Sequence, residues 1–243
     1  MPPRAHAHMR LVRSSADAGL VDYLTEHRLF GVLPREALER LAAEGRHRSY
    51  PRGHHLYEEG IPTTHVYVIR SGLVAMVELD DKGSPCVVIT YGADDVSGSM
   101  CATLGMTHQC TATALVDSEV LHLPKRLFDE LYEAYPRLGL RVLQEVHRIV
   151  RRSRQTVMRL TLTPVSARIA SFLLSVPQPE KGKPASAILE LTLSHQDIAL
   201  LLGTTRESVT RVLDRLSTEG MIAVGRRRIE ILDRDGLRKL IDS

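Results

Sequence analysis

The sequence predicts an α+β chain in three consecutive parts: an antiparallel β-roll, a long helix and a winged helix-turn-helix. Three observations carry this. Between Arg48 and Pro124 short β-type runs alternate with Gly53, Gly60, Gly72, Gly83 and Gly92, a glycine every 7 to 12 residues. From Leu138 to Leu160 the apolar spacing is helical without a break. Third, "DIALLLGTTRESVTRVL" (Asp197 to Leu213) is an amphipathic helix interrupted once, at Gly203. A glycine inside a helix costs roughly 1 kcal/mol relative to alanine, so a break placed there serves a purpose.

The chain has 243 residues, 43% hydrophobic and 25% charged, a globular composition with room for one large domain or two modest ones. Its start, "MPPRAHAHMRLVRSS", is basic without the apolar core of a secretory signal, and residues 1–19 are expected to form a disordered arm. No apolar run approaches the roughly 18 residues of a membrane span, and a cytoplasmic location is expected. Cys86, Cys101 and Cys110 form no CxxC pair, which argues against a disulfide framework or a zinc knuckle.

Residues 20–136 take in the roll and its flanking helices. Leu20 to Ala43 has helical spacing, with Pro34 opening a second short helix. The runs "HVYVIR", "LVAMVEL", "PCVVITY" and "EVLHLP" then read as strands. The long helix occupies 137–162. Residues 137–159 carry seven arginines against one acid, Glu145, which suits a solvated face or an electrostatic footprint. Leu143, Val146, Val150, Ser153, Val157 and Leu160 step by 3 and 4, the seam of either a core-facing helix or a pair of identical helices.

Residues 163–243 make the last domain. Thr163-Pro164 ends the long helix and opens "VSARIASFLLSV"; "PQPEKGKPAS" is a loop, and "ILELTL" a short strand. Ser194 caps a helix from about His195 to Leu202, and Gly203 ends it in the left-handed conformation. Thr204 or Thr205 caps a second helix from about Arg206 to Glu219. Ala199 allows the two helices to cross closely, with Ile198, Leu202, Val209 and Val212 between them. Gly203 is the turn of a helix-turn-helix.

The second helix of such a motif enters the major groove of double-stranded DNA. Arg206, Glu207, Thr210 and Arg211 form an exposed stripe on its first two turns. Arginine can bind guanine O6 and N7, and glutamate can accept from cytosine N4. Beyond Gly220, "MIAVGRRRIEILD" reads as two strands around a basic turn, a wing whose Arg226, Arg227 and Arg228 are placed for phosphates, as are Ser194, Thr204 and Thr205.

From about Leu20 onward the chain resembles the CRP/FNR family of bacterial transcription regulators, through "YPRGHHLYEEGIPTTHVYVIRSGLVAM" and "LSHQDIALLLGTTRESVTRVLDRLSTEGMI". The resemblance implies a cyclic nucleotide-binding-like double-stranded β-helix, a dimerisation helix, a homodimer on a TGTGA-like palindrome, and contact with RNA polymerase. It places Arg206 and Arg211 toward guanines and Glu207 toward cytosine, and it makes the long-helix seam a dimer interface.

One segment departs from the family pattern. Cyclic AMP-binding members resemble Gly-Glu-Leu or Gly-Glu-Ile followed about ten residues later by Arg, Ser or Thr, and Ala. Here "VSGSMCATLGMTHQCTATAL" has Gly98, but Ser99 replaces the glutamate, and Gln109 and Cys110 replace the arginine and its neighbour. A phosphate would meet no cation, so cyclic AMP binding is not expected. The effector pocket is assigned to Gly98, Ser99, Met100, Gln109, Cys110 and Ser153, with its small-molecule effector unknown. Haem is left open as a cofactor, with Met100, Cys101, His108 and Cys110 near the vacated site; so is a thiol switch through Cys101 and Cys110. A metalloenzyme on the roll would need two histidines and a carboxylate pointing inward. His54 and His55 are adjacent, and His65 and His122 lack such a partner, so neither enzyme activity nor a metal is expected.

Overall fold

The computed structural model describes residues 18–81, 83–175, 187–190, 193–225 and 228–242. Helix α1 (Ala18–Glu26) starts two residues before the boundary set for the N-terminal arm; the rest of that arm and the loop "PQPEKGKPAS" lie outside the described residues. The protein forms two compact units. One comprises the described residues up to Glu78 with Val88–Arg152, the other Leu79–Val87 with the described residues from Ser153 on.

In the first unit α2 (Arg35–Glu44) follows α1, opened by Pro34 as its N-cap. The strands are β1 (Arg46–Tyr50), β2 (His55–Tyr57), β3 (His65–Ser71), β4 (Val74–Leu79), β5 (Pro85–Tyr91) and β6 (Val96–Ser97), then the short α3 (Ser99–Thr103), β7 (Thr111–Ala114) and β8 (Ser118–Pro124). They form two antiparallel sheets, ordered β1-β8-β3-β6 and β2-β7-β4-β5. The central pair, β3 and β8, is buried on both faces, which is why "HVYVIR" is a continuous apolar run. Val66, Val68, Leu121 and Leu123 face a core made with α1, α2, α4 (Lys125–Ala134) and the start of α5 (Pro136–Leu162). The alternate residues Tyr67, Ile69 and Val120 face inward with Tyr50, Met76, Tyr91 and Ala112.

Helix α5 runs unbroken for 27 residues. Leu138, Val142 and Glu145 are buried on one face, and Ile149 continues that face onto the inner core of the roll. The basic character of this helix is partly spent within the fold. Arg28 and Arg148 bond Glu145, while Arg28 and Arg152 bond the buried Asp95 in the loop between β5 and β6.

The second unit contains α6 (Val165–Ser175), β9 (Ala187–Glu190), α7 (His195–Leu202), α8 (Arg206–Thr218), β10 (Ile222–Gly225), β11 (Arg228–Ile231) and α9 (Arg234–Asp242). Its core joins Ile169, Leu173, Ile198, Ala199, Val209, Leu213, Ile229 and Leu237, with Leu202 and Val212 packed at its edge. The three strands pair antiparallel in the order β10-β11-β9. A helix-turn-helix backed by a three-stranded wing results.

Candidate nucleic-acid interface

The interface is built from helix ends. Ser194 caps α7 reciprocally: its Oγ accepts from Asp197 N at 3.2 Å, and Asp197 Oδ2 accepts from Ser194 N at 2.6 Å. At the other end Gly203 has φ 59° and ψ 52°, the left-handed geometry the sequence called for. A second constraint reinforces it. A Cβ on Gly203 would lie 2.6 Å from Cδ2 of Leu160, the last residue of the long-helix seam. Arg168 of α6 donates to the carbonyls of Leu202 and Gly203, satisfying the end of α7.

Of the two threonines after the turn, Thr205 is the cap, accepting from Ser208 N at 3.2 Å, while Thr204 N closes back on Ala199 O at 3.0 Å. The cap residue's side chain and the first-turn N–H groups of α8 therefore sit together at the end that a groove-entering helix presents.

Arg206, Glu207 and Arg211 project from α8 into solvent, and Thr210 is half-buried beside them. These four residues and Asp214 line one open groove of about 430 Å³. Thr210 is not free: its Oγ1 and Nδ1 of His195 are 2.9 Å apart, so the first residue of α7 fixes a side chain of α8. Sequence spacing gives no sign of His195 or Arg168, which act through tertiary contacts, whereas Asp214 repeats Glu207 a heptad later and spacing alone could have found it. In the wing, Arg228 is exposed and its Nη2 meets Glu230 at 3.2 Å; Arg226 and Arg227 lie outside the described residues.

Within the first unit, Gly98 (φ 80°) is the N-cap of α3, Ser99 is buried and Met100 exposed. Gln109 is exposed and donates to Thr107 O at 3.0 Å in its own loop. Cys110 packs on the inner core, and burial, with Glu78, Cys101 and Glu59 nearby, pushes its thiol up to about 11. A thiol held protonated at neutral pH is a poor nucleophile. Ser153 is half-buried on α5, in the second unit. Among the described residues, no three His, Cys, Asp or Glu side chains come together as a metal site. His54, His55, His65 and His122 are each within hydrogen-bonding distance of Pro51 O, Thr113, Thr64 and Tyr50 respectively.

Residues 47–135 match the cyclic nucleotide-binding domain family and residues 167–240 the Crp-like helix-turn-helix domain family, together more than half of the chain. The chain belongs to the CRP/FNR family. It is similar to the transcriptional activator protein anr of Pseudomonas aeruginosa, 27% identical over 202 residues that take in 82% of this chain and 80% of that protein. It is also similar to the transcriptional regulatory protein btr of Bordetella pertussis, 28% identical over 78% of each. A CRP-family transcriptional regulator from Thermus thermophilus superposes with a TM-score of 0.66 at 27% identity, covering 80% of this chain and 96% of that one. FixK2 from Bradyrhizobium japonicum shares the fold, with a TM-score of 0.65 at 24% identity, over 81% and 96%. The protein is a DNA-binding transcription regulator of the CRP/FNR type. No described helix is long and apolar enough to cross a membrane.

Proposed function

We propose that this regulator reads a TGTGA-like palindrome as a homodimer, without cyclic AMP, and acts on transcription through RNA polymerase. The observation that carries the reading is the groove on α8, where Arg206, Glu207 and Arg211 are exposed beside the half-buried Thr210 at the capped end of the helix. Arg206 and Arg211 would bind guanines bidentately and Glu207 a cytosine amine. Ser194, Thr204, Thr205 and the wing arginines Arg226, Arg227 and Arg228 would meet phosphates. For dimerisation, the support is the outer face of α5: Leu143 is 64% exposed, Val150 51% and Val157 62%, a heptad-spaced apolar stripe unusual on a single helix. Cyclic AMP independence is supported by the pocket residues. Buried Ser99 and outward-turned Gln109 offer a cyclic phosphate no positive charge.

A haem-responsive form of the same regulator draws on one observation. His108 is 2% exposed and its Nε2 has no hydrogen-bond partner among the described residues. Its ring, however, lies flat on Tyr57 at 3.6 Å, and Tyr57 is bonded to Ser97, so the residues as placed fit no haem without His108 leaving that stack. The visible spectrum of the purified protein tests it: a Soret band supports haem, a featureless spectrum removes it.

The DNA reading is tested by Arg206→Ala. The substitution should cost roughly 1–3 kcal/mol on the cognate duplex and relax preference at one base pair. Equal loss on every duplex would remove Arg206 from base reading.

A further inference from the structure

We propose that Asp214 is a further specificity-determining residue, reading an exocyclic amine of cytosine or adenine beyond the base pair that Glu207 meets. The inference rests on the DNA reading above and extends it by one contact.

Asp214 is exposed and lines the same groove as Arg206, Glu207, Thr210 and Arg211. It follows Glu207 by seven residues, so it returns to within about 20° of the same helix face. At 1.5 Å per residue it stands roughly 10 Å further along the helix, and a helix lying in the inclined major groove advances about one base step for every three to four residues, so Asp214 falls about two base steps from Glu207. Its main-chain carbonyl accepts from Thr218, but its carboxylate enters no ion pair among the described residues, whereas the neighbouring Arg215 is paired with Glu219. The groove thus carries two arginines and two carboxylates, a formal charge balance of zero. A surface for phosphates is built from cations. A face that alternates donors and acceptors matches base edges instead. In the major groove the hydrogen-bond donors available to a carboxylate are cytosine N4 and adenine N6.

The test is selection from a duplex pool with randomised half-sites, using the full-length wild type, Asp214→Ala and Asp214→Asn. The wild type should enrich cytosine or adenine on one strand about two steps from the Glu207 position, with roughly tenfold preference. Asp214→Ala should flatten that position alone. Asp214→Asn should move it toward adenine, whose N6 and N7 an amide binds bidentately, a gain that misfolding cannot mimic. An unchanged preference in both variants would overturn the proposal, as would uniformly tighter binding to every duplex, which is the signature of relieved phosphate repulsion. A wild type that enriches no sequence would instead bring down the DNA reading itself, and this contact with it.

Discussion

Arg152 closes on Asp95 with both of its terminal nitrogens, at 2.9 and 3.1 Å. The same carboxylate accepts from Arg28 and from Gly92 N, so one buried acid ties the turn after α1, the loop before β6 and the middle of α5 together. Burial alone would raise the Asp95 carboxyl; the bonds from Arg152, Gly92 N–H and Arg28 outweigh it and hold the group below its ordinary value. Removing one member of a buried ion pair typically costs about 3–5 kcal/mol, and the half-exposed arginines reduce that here. Asp95→Ala should therefore destabilise the roll by about 2 kcal/mol in urea unfolding. A loss within experimental error would mean that Asp95 is not a structural tie.

Gly203 is required twice over, by its positive φ and by Leu160 against it. Gly203→Ala should cost about 1 kcal/mol for the left-handed backbone, plus the cost of displacing Leu160. Because the second part depends on the leucine, Leu160→Ala should recover it, and a double-mutant cycle should show coupling above roughly 0.5 kcal/mol. Strict additivity would separate the long helix from the turn energetically.

Much of this architecture was legible locally. The limits of α7 match the expectation at both ends, because Ser194 and Gly203 are chemical stop signals, and α8 ends one residue early with Glu219 as its C-cap. Strands β3, β5 and β8 coincide closely with their apolar runs. What spacing does not encode is pairing at a distance. Arg28 with Glu145, Arg152 with Asp95 and His195 with Thr210 join residues distant in sequence, so two of the seven arginines of 137–159, Arg148 and Arg152, are paired with buried acids rather than left to solvent. Similarly, the choice between Thr204 and Thr205 depended on a backbone angle, which only the fold supplies.

Of the three histidines buried among the described residues of the first unit, His108 and His122 are the two that burial shifts furthest and that give it an acid sensitivity. Burial pushes His108 down to about 4; burial together with the Arg48 and His65 charges pushes His122 down to about 3. Both are neutral in the fold and take up protons more readily once unfolded, where histidine titrates near about 6.5. Their contribution is full above that value and is lost as pH falls through the folded values. The urea midpoint should drop steadily from about pH 6.5 to about pH 4, and His108→Gln should flatten part of the slope. A wild-type midpoint level across that window would contradict the burial argument.

The outer face of α5 makes a prediction about assembly. Val150→Glu and Val157→Glu place a charge in the apolar stripe, away from the Leu138, Val142 and Glu145 face that packs on the roll. Each should shift sedimentation from dimer to monomer while leaving urea stability of the roll unchanged, and should weaken operator binding at least tenfold. Dimers that persist in both variants would place the subunit contact elsewhere.

Fluorescence anisotropy can show whether α8 reads DNA bases. Purified protein would be titrated against a labelled TGTGA-N6-TCACA duplex and a scrambled duplex of equal length, each with and without cyclic AMP. The expected result is preference for the palindrome by a factor of about 10³ or more, unchanged by the nucleotide. Equal affinity for both duplexes in either condition would contradict it.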